Sequence, residues 1–386
     1  MHANQLTEDT LRSLSQVEAD EPVVVTLFLD LDPAQFATPP ARATQITSLL
    51  SDLDALLRDG DLSHDAAEAL KIDRERIESF LRDEDLDVGE AAALAIFSSD
   101  ALDVWEVVKL PEPVGAAVHL DQRPILEPVM GLEDEGAWCV LLVTRDSARI
   151  FRGGPTGIRG IRDVQSDVKN QHSAGGWSQA RFERSVEREV EWHLEHVTDL
   201  LFRSFKRRPF DHLIVGANNE SLRPALEREI HAYLSERIRG WVDIDEKLSS
   251  EAEVFGAVRE QMNAHLEQEE RELLERFATE RATDGRAAEG LGPVLAALVE
   301  RRVETLLVRE GAAATGAKCV TCGWIGPAGR ERCPVDATTL DAVDNIVEPA
   351  IQAAIQQSAA VQVVKPSDDD EGAAPISGPV AALLRY

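Results

Sequence analysis

The chain is 386 residues long and 44% hydrophobic, with 70 acidic against 40 basic residues and a formal net charge of -30. That length suggests two or three domains, and the absence of any run of roughly 18 apolar residues excludes an apolar membrane-spanning helix. The opening MHANQLTEDTLRSLSQVEAD lacks the basic and apolar regions of a signal peptide, and four cysteines do not make a disulfide framework, so a cytoplasmic protein with no membrane and no DNA partner is expected.

PVVVTLFLD (22–30) is β-branched and apolar and predicts a buried strand. Residues 41–58 and 63–82 carry helical periodicity after the turn-like TPP at 38–40. ALAIF (93–97) and LDVWEVV (102–108) predict paired strands, and the Pro-containing DQRPILEPV (121–129) closes a first domain, 1–130.

WCVLLVT (138–144) predicts a central strand of a second domain, 131–265, with ARIFRGG (148–154) as its hairpin partner. Residues 155–178 are rich in Gly, Ser, Asn and Asp and predict a long loop, a feature that often carries function. A helix from about Gln179 to Lys206 follows, then a strand HLIVGAN, a helix over 220–238 and a strand GWVDID. This alternation predicts an α/β layered domain. The charged helical stretch 250–282 leads to a third domain, 266–386. There LGPVLAALVERR is read as a helix, VETLLVRE as a strand, 317–340 as a Cys-bearing insertion, 346–357 as a helix and VQVVK as a strand. The acidic 366–378 is read as a loop.

The acidity is uneven. From Arg145 to Arg208 there are 13 basic and 9 acidic residues, so any RNA contact belongs there. Within it stands His172-Ser-Ala-Gly175-Gly176-Trp177-Ser178-Gln179-Ala-Arg181-Phe182-Glu183-Arg184. Two glycines permit a close backbone approach to a ligand, Ser178 suits a helix cap, and Arg181, Arg184 and Arg188 recur on one helical face. A flexible turn and a solvated, Glu-paired helix face are the competing readings. His172 and the terminal Lys206-Arg207-Arg208 are further candidates for phosphate contact, although basic residues at a helix C-terminus also complement its dipole.

The segment resembles the catalytic tip of archaeal and eukaryotic class-1 peptide chain release factors, whose motif is Gly-Gly-Gln-Ser, two hydrophobic or small positions, then Arg-Phe-x-Arg. Gly175, Gly176, Ser178, Arg181, Phe182 and Arg184 match without gaps, Trp177 stands where the family has its catalytic Gln, and Gln179 follows two residues later. The displaced Gln is similar to that of the ankyrin-repeat/zinc-finger peptidyl-tRNA hydrolases, and bacterial members carry similar Ser-Ala-Gly-Gly-x-Ser segments. GLGPVLAALVERRVETLLV (290–308) and the terminal AALLRY resemble the family's third domain. The Asn-Ile-Lys-Ser motif that reads stop codons is absent. The resemblance implies an α/β, three-domain release-factor-like architecture of mixed layers, with a small zinc-ribbon-like insertion in the third domain.

It also implies attack of water on the ester joining peptide to tRNA, with Gly175 and Gly176 shaping the tip and Gln179 positioning water. Trp177, Ser178, His172, the three arginines and the terminal basic triplet would contact RNA. The implied partners are the large ribosomal subunit, the tRNA acceptor end and a translational GTPase or ATPase. Three functions stay open: codon-independent peptidyl-tRNA hydrolysis in ribosome rescue, favoured by Gln179; a non-catalytic hibernation factor similar to the Balon-type relatives, plugging the peptidyl-transferase centre with Trp177; and a non-ribosomal binding protein on the same fold, favoured by the acidity.

Cys319-x2-Cys322-x10-Cys333-x2-Asp336 has the spacing of two ligand-bearing turns, with Gly323 suited to the knuckle after the second Cys. Structural zinc and a metal-free knuckle are the two readings. Cys139 is expected in the core. His193 and His196, with Glu191 and Glu195, are expected on a solvated helix face.

Overall fold

The computed structural model describes residues 4–31, 39–60, 62–83, 88, 91–110, 113–130, 138–154, 157–166, 179–217, 222–243, 250–283, 285–365 and 376–386, with the side chains of 4–5, 39–40, 59 and 179–184 outside the description. The chain divides into two compact units, 1–133 with 271–386, and 134–270.

The first unit begins with β1 (Asn4–Gln5) and α1 (Glu8–Ser15), whose first turn is capped by Thr7. Next come β2 (Val24–Asp30), α2 (Pro39–Asp59), α3 (His64–Leu81), β3 (Ala93–Ser99), β4 (Val104–Leu110) and β5 (Ala117–Asp121). The strands form one sheet in the order β1-β4-β3-β2-β5. Alternation along β2 and β3 decides which side each residue fills. Val25, Leu27, Leu29, Leu94 and Ile96 pack with Leu49, Leu53, Leu70 and Ile77 of α2 and α3. Phe28, Ala95 and Phe97 join the opposite core. Both faces are covered, so the strand residues are buried without a break rather than in alternation.

That opposite core is shared with the C-terminal elements: α8 (Leu291–Val299), β12 (Val303–Arg309), α9 (Val347–Gln356), β16 (Ala360–Val364) and β17 (Val380–Leu384). Here the sheet order is β11-β17-β12-β16, with β11 at Ala287–Glu289. Between β12 and α9 in the chain, β13 (Gly316–Lys318), β14 (Ile325–Pro327) and β15 (Asp341–Val343) form a small separate sheet in the order β14-β13-β15.

The second unit holds β6 (Trp138–Val143), β7 (Ser147–Gly154), β8 (Gly157–Gln165), α4 (Gln179–Arg207), β9 (His212–Ala217), α5 (Leu222–Glu229), α6 (Ala232–Ser235), β10 (Ile238–Val242) and the start of α7 (Glu251–Ala282). The sheet order is β10-β9-β6-β7-β8, parallel across β10, β9 and β6 and antiparallel from β6 to β8. Leu194, Val197 and Leu201 of α4, with Leu222, Leu226 and Leu234, cover one face. Val254, Phe255, Val258 and Met262 of α7 cover the other. The arrangement is an α/β/α sandwich.

Two local expectations change. The first part of the long 155–178 loop is a strand, β8, at the sheet edge. An edge strand buries little, so its polar, Gly-containing sequence GIRGIRDVQ does not announce it. The 220–238 helix is broken into α5 and α6, where His231 leaves the helix and caps the second piece. Among the described residues no helix is long and apolar enough to cross a membrane.

Candidate functional site

Helix α4 spans the second half of the 145–208 segment and carries basic and acidic residues in equal number. His172, Gly175, Gly176, Trp177 and Ser178 lie outside the described residues. Gln179, Arg181 and Arg184 lie in the first two turns of α4, with their side chains outside the description. Arg188 follows on the helix and is exposed.

The chain enters the Gly-Gly segment after Ser166, at the end of β8. Ser166 N donates to the Asp146 carbonyl at 2.8 Å, and Ser166 Oγ lies 2.8 Å from His193 Nδ1. His193 Nε2 lies 3.3 Å from the carbonyl oxygen of Ser147. A carbonyl only accepts, so Nε2 carries the proton and Nδ1 accepts from the serine hydroxyl. His193 is fully buried, and that burial lowers its pKa against the opposing influence of the Ser147 carbonyl and Asp146. It is therefore not on a solvated face. The α4 face it occupies packs against the β6–β7 turn, where Thr144 Oγ1 accepts the Ser147 N–H at 3.0 Å. His196, by contrast, is exposed and stacks on Trp192 with ring centroids 5.7 Å apart and 8° between planes. Trp192 is 61% exposed, an aromatic within the basic segment that neither spacing nor motif marks in the sequence.

Not every cation of the segment faces water. Arg152 is buried, donates to the backbone carbonyls of Pro209 and Arg208, and lies 4.9 Å from the Phe210 ring centroid. It ties down the chain where α4 ends. Arg149 sits 3.5 Å from Asp163 and over Phe151. Lys206, Arg207 and Arg208 are exposed, and Lys206 Nζ lies 4.5 Å from the Phe202 ring centroid.

The second candidate is the cysteine cluster. The ligand atoms of Cys319, Cys322, Cys333 and Asp336 all lie within 4.8 Å of one another. Cys322 Sγ and Cys333 Sγ are 3.5 Å apart, and Cys319 Sγ is 3.5 Å from Asp336 Oδ2. Tetrahedral zinc with bonds of about 2.3 Å spaces its sulfurs by about 3.8 Å, so the donor set and its spacing fit such an ion. Two similar turns build the cluster. Gly323 N donates to Cys319 O at 2.9 Å and Ala337 N to Cys333 O at 3.0 Å. The residue after each second ligand has a positive φ, 73° at Gly323 and 61° at Ala337. Only the first of these carries the glycine that signals the turn in sequence. Val335 N donates to Cys333 Sγ at 3.4 Å. The Thr338 N–H, which donates to Asp336 Oδ1 at 3.0 Å, pulls the Asp336 carboxyl down to about 2, keeping it an anion ready to ligate. Cys139, as expected, is a core residue whose thiol burial pushes up to about 12.

A buried β6–β7 hairpin and a long helix, which exposes Trp192 and His196 among charged residues of both signs, are thus placed in one sandwich. Residues 129–263 match the family model of bacterial archaeo-eukaryotic release factor family 10. The match takes in the hairpin, the Gly-Gly segment, α4 and the parallel strands of this release-factor-like region. The chain is 27% identical to peptide chain release factor subunit 1 of Thermococcus sibiricus over 305 residues, covering 72% of this chain and 73% of that protein. It is also 27% identical to the protein of the same name from Methanopyrus kandleri over 230 residues, but this spans only 57% of this chain and 56% of that protein. A solved structure, the model of ribosome-bound archaeal Pelota and ABCE1, aligns over 100% of this chain and 95% of that chain at 14% identity, with a TM-score of 0.40.

Proposed function

We propose that this chain is a ribosome-associated, release-factor-like protein that hydrolyses the ester of peptidyl-tRNA without reading a codon, as in the rescue of stalled ribosomes. The observation that carries this reading is the release-factor family match over 129–263, a stretch that contains Gly175, Gly176 and the Arg-Phe-x-Arg of Arg181, Phe182 and Arg184. The names of its relatives, peptide chain release factors, support it. In this reaction a water oxygen attacks the ester carbonyl, the tetrahedral oxyanion collapses, and the tRNA 3′ oxygen leaves with a proton. A polar group must hold the water and stabilise the oxyanion, and Gln179 is the one side-chain amide between Gly175 and Arg184. Arg181, Arg184 and Arg188, with His172 and the Lys206-Arg207-Arg208 end, serve phosphate contact. The large subunit, the tRNA acceptor end and a GTPase or ATPase are the partners of this reading. Cys319, Cys322, Cys333 and Asp336 would hold zinc. Four protein ligands leave no open position on the ion, so its part is structural.

Trp177 favours a second reading. An indole in place of the family glutamine suits stacking on an RNA base, and the protein then occupies the peptidyl-transferase centre as a hibernation plug without chemistry. One pair of variants separates the two. For the hydrolase, Gln179→Ala lowers peptide release by about 10- to 1000-fold with ribosome binding retained. For the plug, Gln179→Ala changes little and Trp177→Ala weakens ribosome binding. Wild-type protein that binds ribosomes tightly yet releases no peptide at any stoichiometry overturns the hydrolase, and failure to cosediment with 70S or 50S particles overturns both.

A further inference from the structure

At the far end of α4, three aromatic rings from two separate elements stand parallel. Phe202 stacks on His231 with centroids 3.9 Å apart and 11° between planes. His231 stacks on Tyr233 at 5.2 Å and 8°. His231 and Tyr233 are exposed, the tyrosine by 60%. Lys206 lies over Phe202, and Arg207 and Arg208 follow it. From residue 200 to residue 210 the chain carries four cations and no carboxylate, within a protein of net charge -30.

The stack is held from below. Phe202 lies 6.3 Å from Phe205, nearly parallel to it, and Phe205 meets the buried Phe210 edge-on at 5.1 Å. Arg237 lies 4.8 Å from the Phe205 centroid, while its Nη1 donates to the Tyr233 carbonyl at 2.6 Å and its Nε to the Phe210 carbonyl at 3.0 Å. His231 caps α6, its Nδ1 accepting the Tyr233 N–H at 3.3 Å. This cap fixes the imidazole beside the tyrosine ring. A single exposed tyrosine needs no explanation. A preset stack of three parallel rings, backed by cations and leaving the tyrosine largely uncovered, has the two properties an unpaired nucleotide is recognised by: a flat π-face for the base and positive charge for its phosphate.

We propose that Tyr233, His231 and Phe202, with Lys206, form a stacking platform for an unpaired RNA nucleotide. The proposal deepens the ribosomal reading by naming an RNA contact away from the Gly-Gly segment, and it rests on that reading only for which RNA is met. A paired base has both faces covered by its neighbours, so duplex RNA does not compete for such a platform. The deciding experiment titrates the full chain with labelled oligouridine and with a duplex RNA of equal length, at two salt concentrations. Wild-type protein is expected to prefer the single strand, and to bind it less tightly at higher salt. Tyr233→Ala is expected to weaken binding by about 5- to 150-fold, the range for removing one stacked base. Tyr233→Phe keeps the ring and is expected to bind as wild type does. Lys206→Ala is expected to flatten the salt dependence. Equal binding by Tyr233→Ala, or equal affinity for the duplex, overturns the proposal. So does loss of ribosome cosedimentation in Tyr233→Ala with oligouridine binding unchanged, which assigns the surface to a protein partner. Absence of ribosome binding in wild-type protein overturns the ribosomal reading but leaves the oligouridine result standing.

Discussion

The carboxylate of Glu348, at the start of α9, accepts the backbone N–H of Leu126 at 3.0 Å across 222 residues of chain. Its other oxygen accepts the N–H of Glu127 at 3.0 Å, and Glu127 in turn accepts the N–H of Gly311 at 2.9 Å. Two carboxylates thus join the segment after β5 to the C-terminal elements of the first unit. Full burial raises Glu348 to about 7 against the two N–H groups that lower it, with Glu127 and Asp121 adding to the rise.

This arrangement carries a pH signature. The folded acid holds its proton up to about pH 7, whereas the unfolded acid releases it near 4.5. The native state binds more protons between those values, so this group's contribution to stability falls as pH rises from about 4.5 to 7. Glu348→Gln should remove that slope, on the order of 2–3 kcal/mol across the window. Chemical denaturation of wild type and variant at pH 5 and pH 7.5 measures it. Parallel pH profiles would show that Glu348 does not titrate in the window.

His193 predicts the opposite slope in the second unit. Burial holds the folded imidazole neutral below its ordinary value of 6.5. The unfolded chain therefore takes up the proton first. The contribution is complete above about pH 6.5 and is lost as pH falls toward the depressed folded value. His193→Ala should cost roughly 2–4 kcal/mol, through a cavity and unpaired partners, and should abolish the slope. A variant as stable as wild type at pH 7.5 contradicts the packing described for α4.

Metal content tests the cysteine cluster. Freshly reduced protein kept from chelators should contain about one zinc per chain. Cys322→Ser should lose it and destabilise the 317–340 insertion while leaving the second unit folded. Protein that is folded throughout with no metal by elemental analysis disproves the ion and leaves a metal-free knuckle.

The arginine face is tested through salt. Replacing Arg181, Arg184 and Arg188 together with Ala should weaken ribosome binding and reduce the slope of log affinity against log salt by up to roughly 2–3, at about 0.7–0.9 for each phosphate no longer neutralised. An unchanged slope makes the face a solvated one. In the same assay Arg152→Ala should lose stability rather than slope, because that guanidinium is spent on the Pro209 and Arg208 carbonyls.

Much was legible along the chain because it is encoded within a few residues. The buried strands at 24–30, 93–99 and 138–143 are built on apolar runs, interrupted only by Thr26 and ended by Asp30 and Ser98-Ser99. The Cys spacing places two similar turns, and the basic bias of 145–208 can be counted before any fold is known. Polar β8 was not legible, since an edge strand has no apolar alternation to show. Nor was Ala337, whose left-handed φ is imposed by the turn around Cys333 and Asp336 and not by its residue type.

Tertiary structure decided the rest, and in each case the partner is far away in the chain. Helical spacing puts His193 and His196 near each other but does not say which lies beneath; packing against the β6–β7 turn buries the first and leaves the second stacked on Trp192. Phe202 and His231 are 29 residues apart and meet only because the helix break at 230–231 turns the imidazole onto the phenyl ring. Glu348 looks like one more solvated acid among 70 until the fold closes over it. Periodicity reports a residue's direction relative to its own element. Burial, pairing and proton affinity depend on what another element brings against that face, and only the packed chain supplies it.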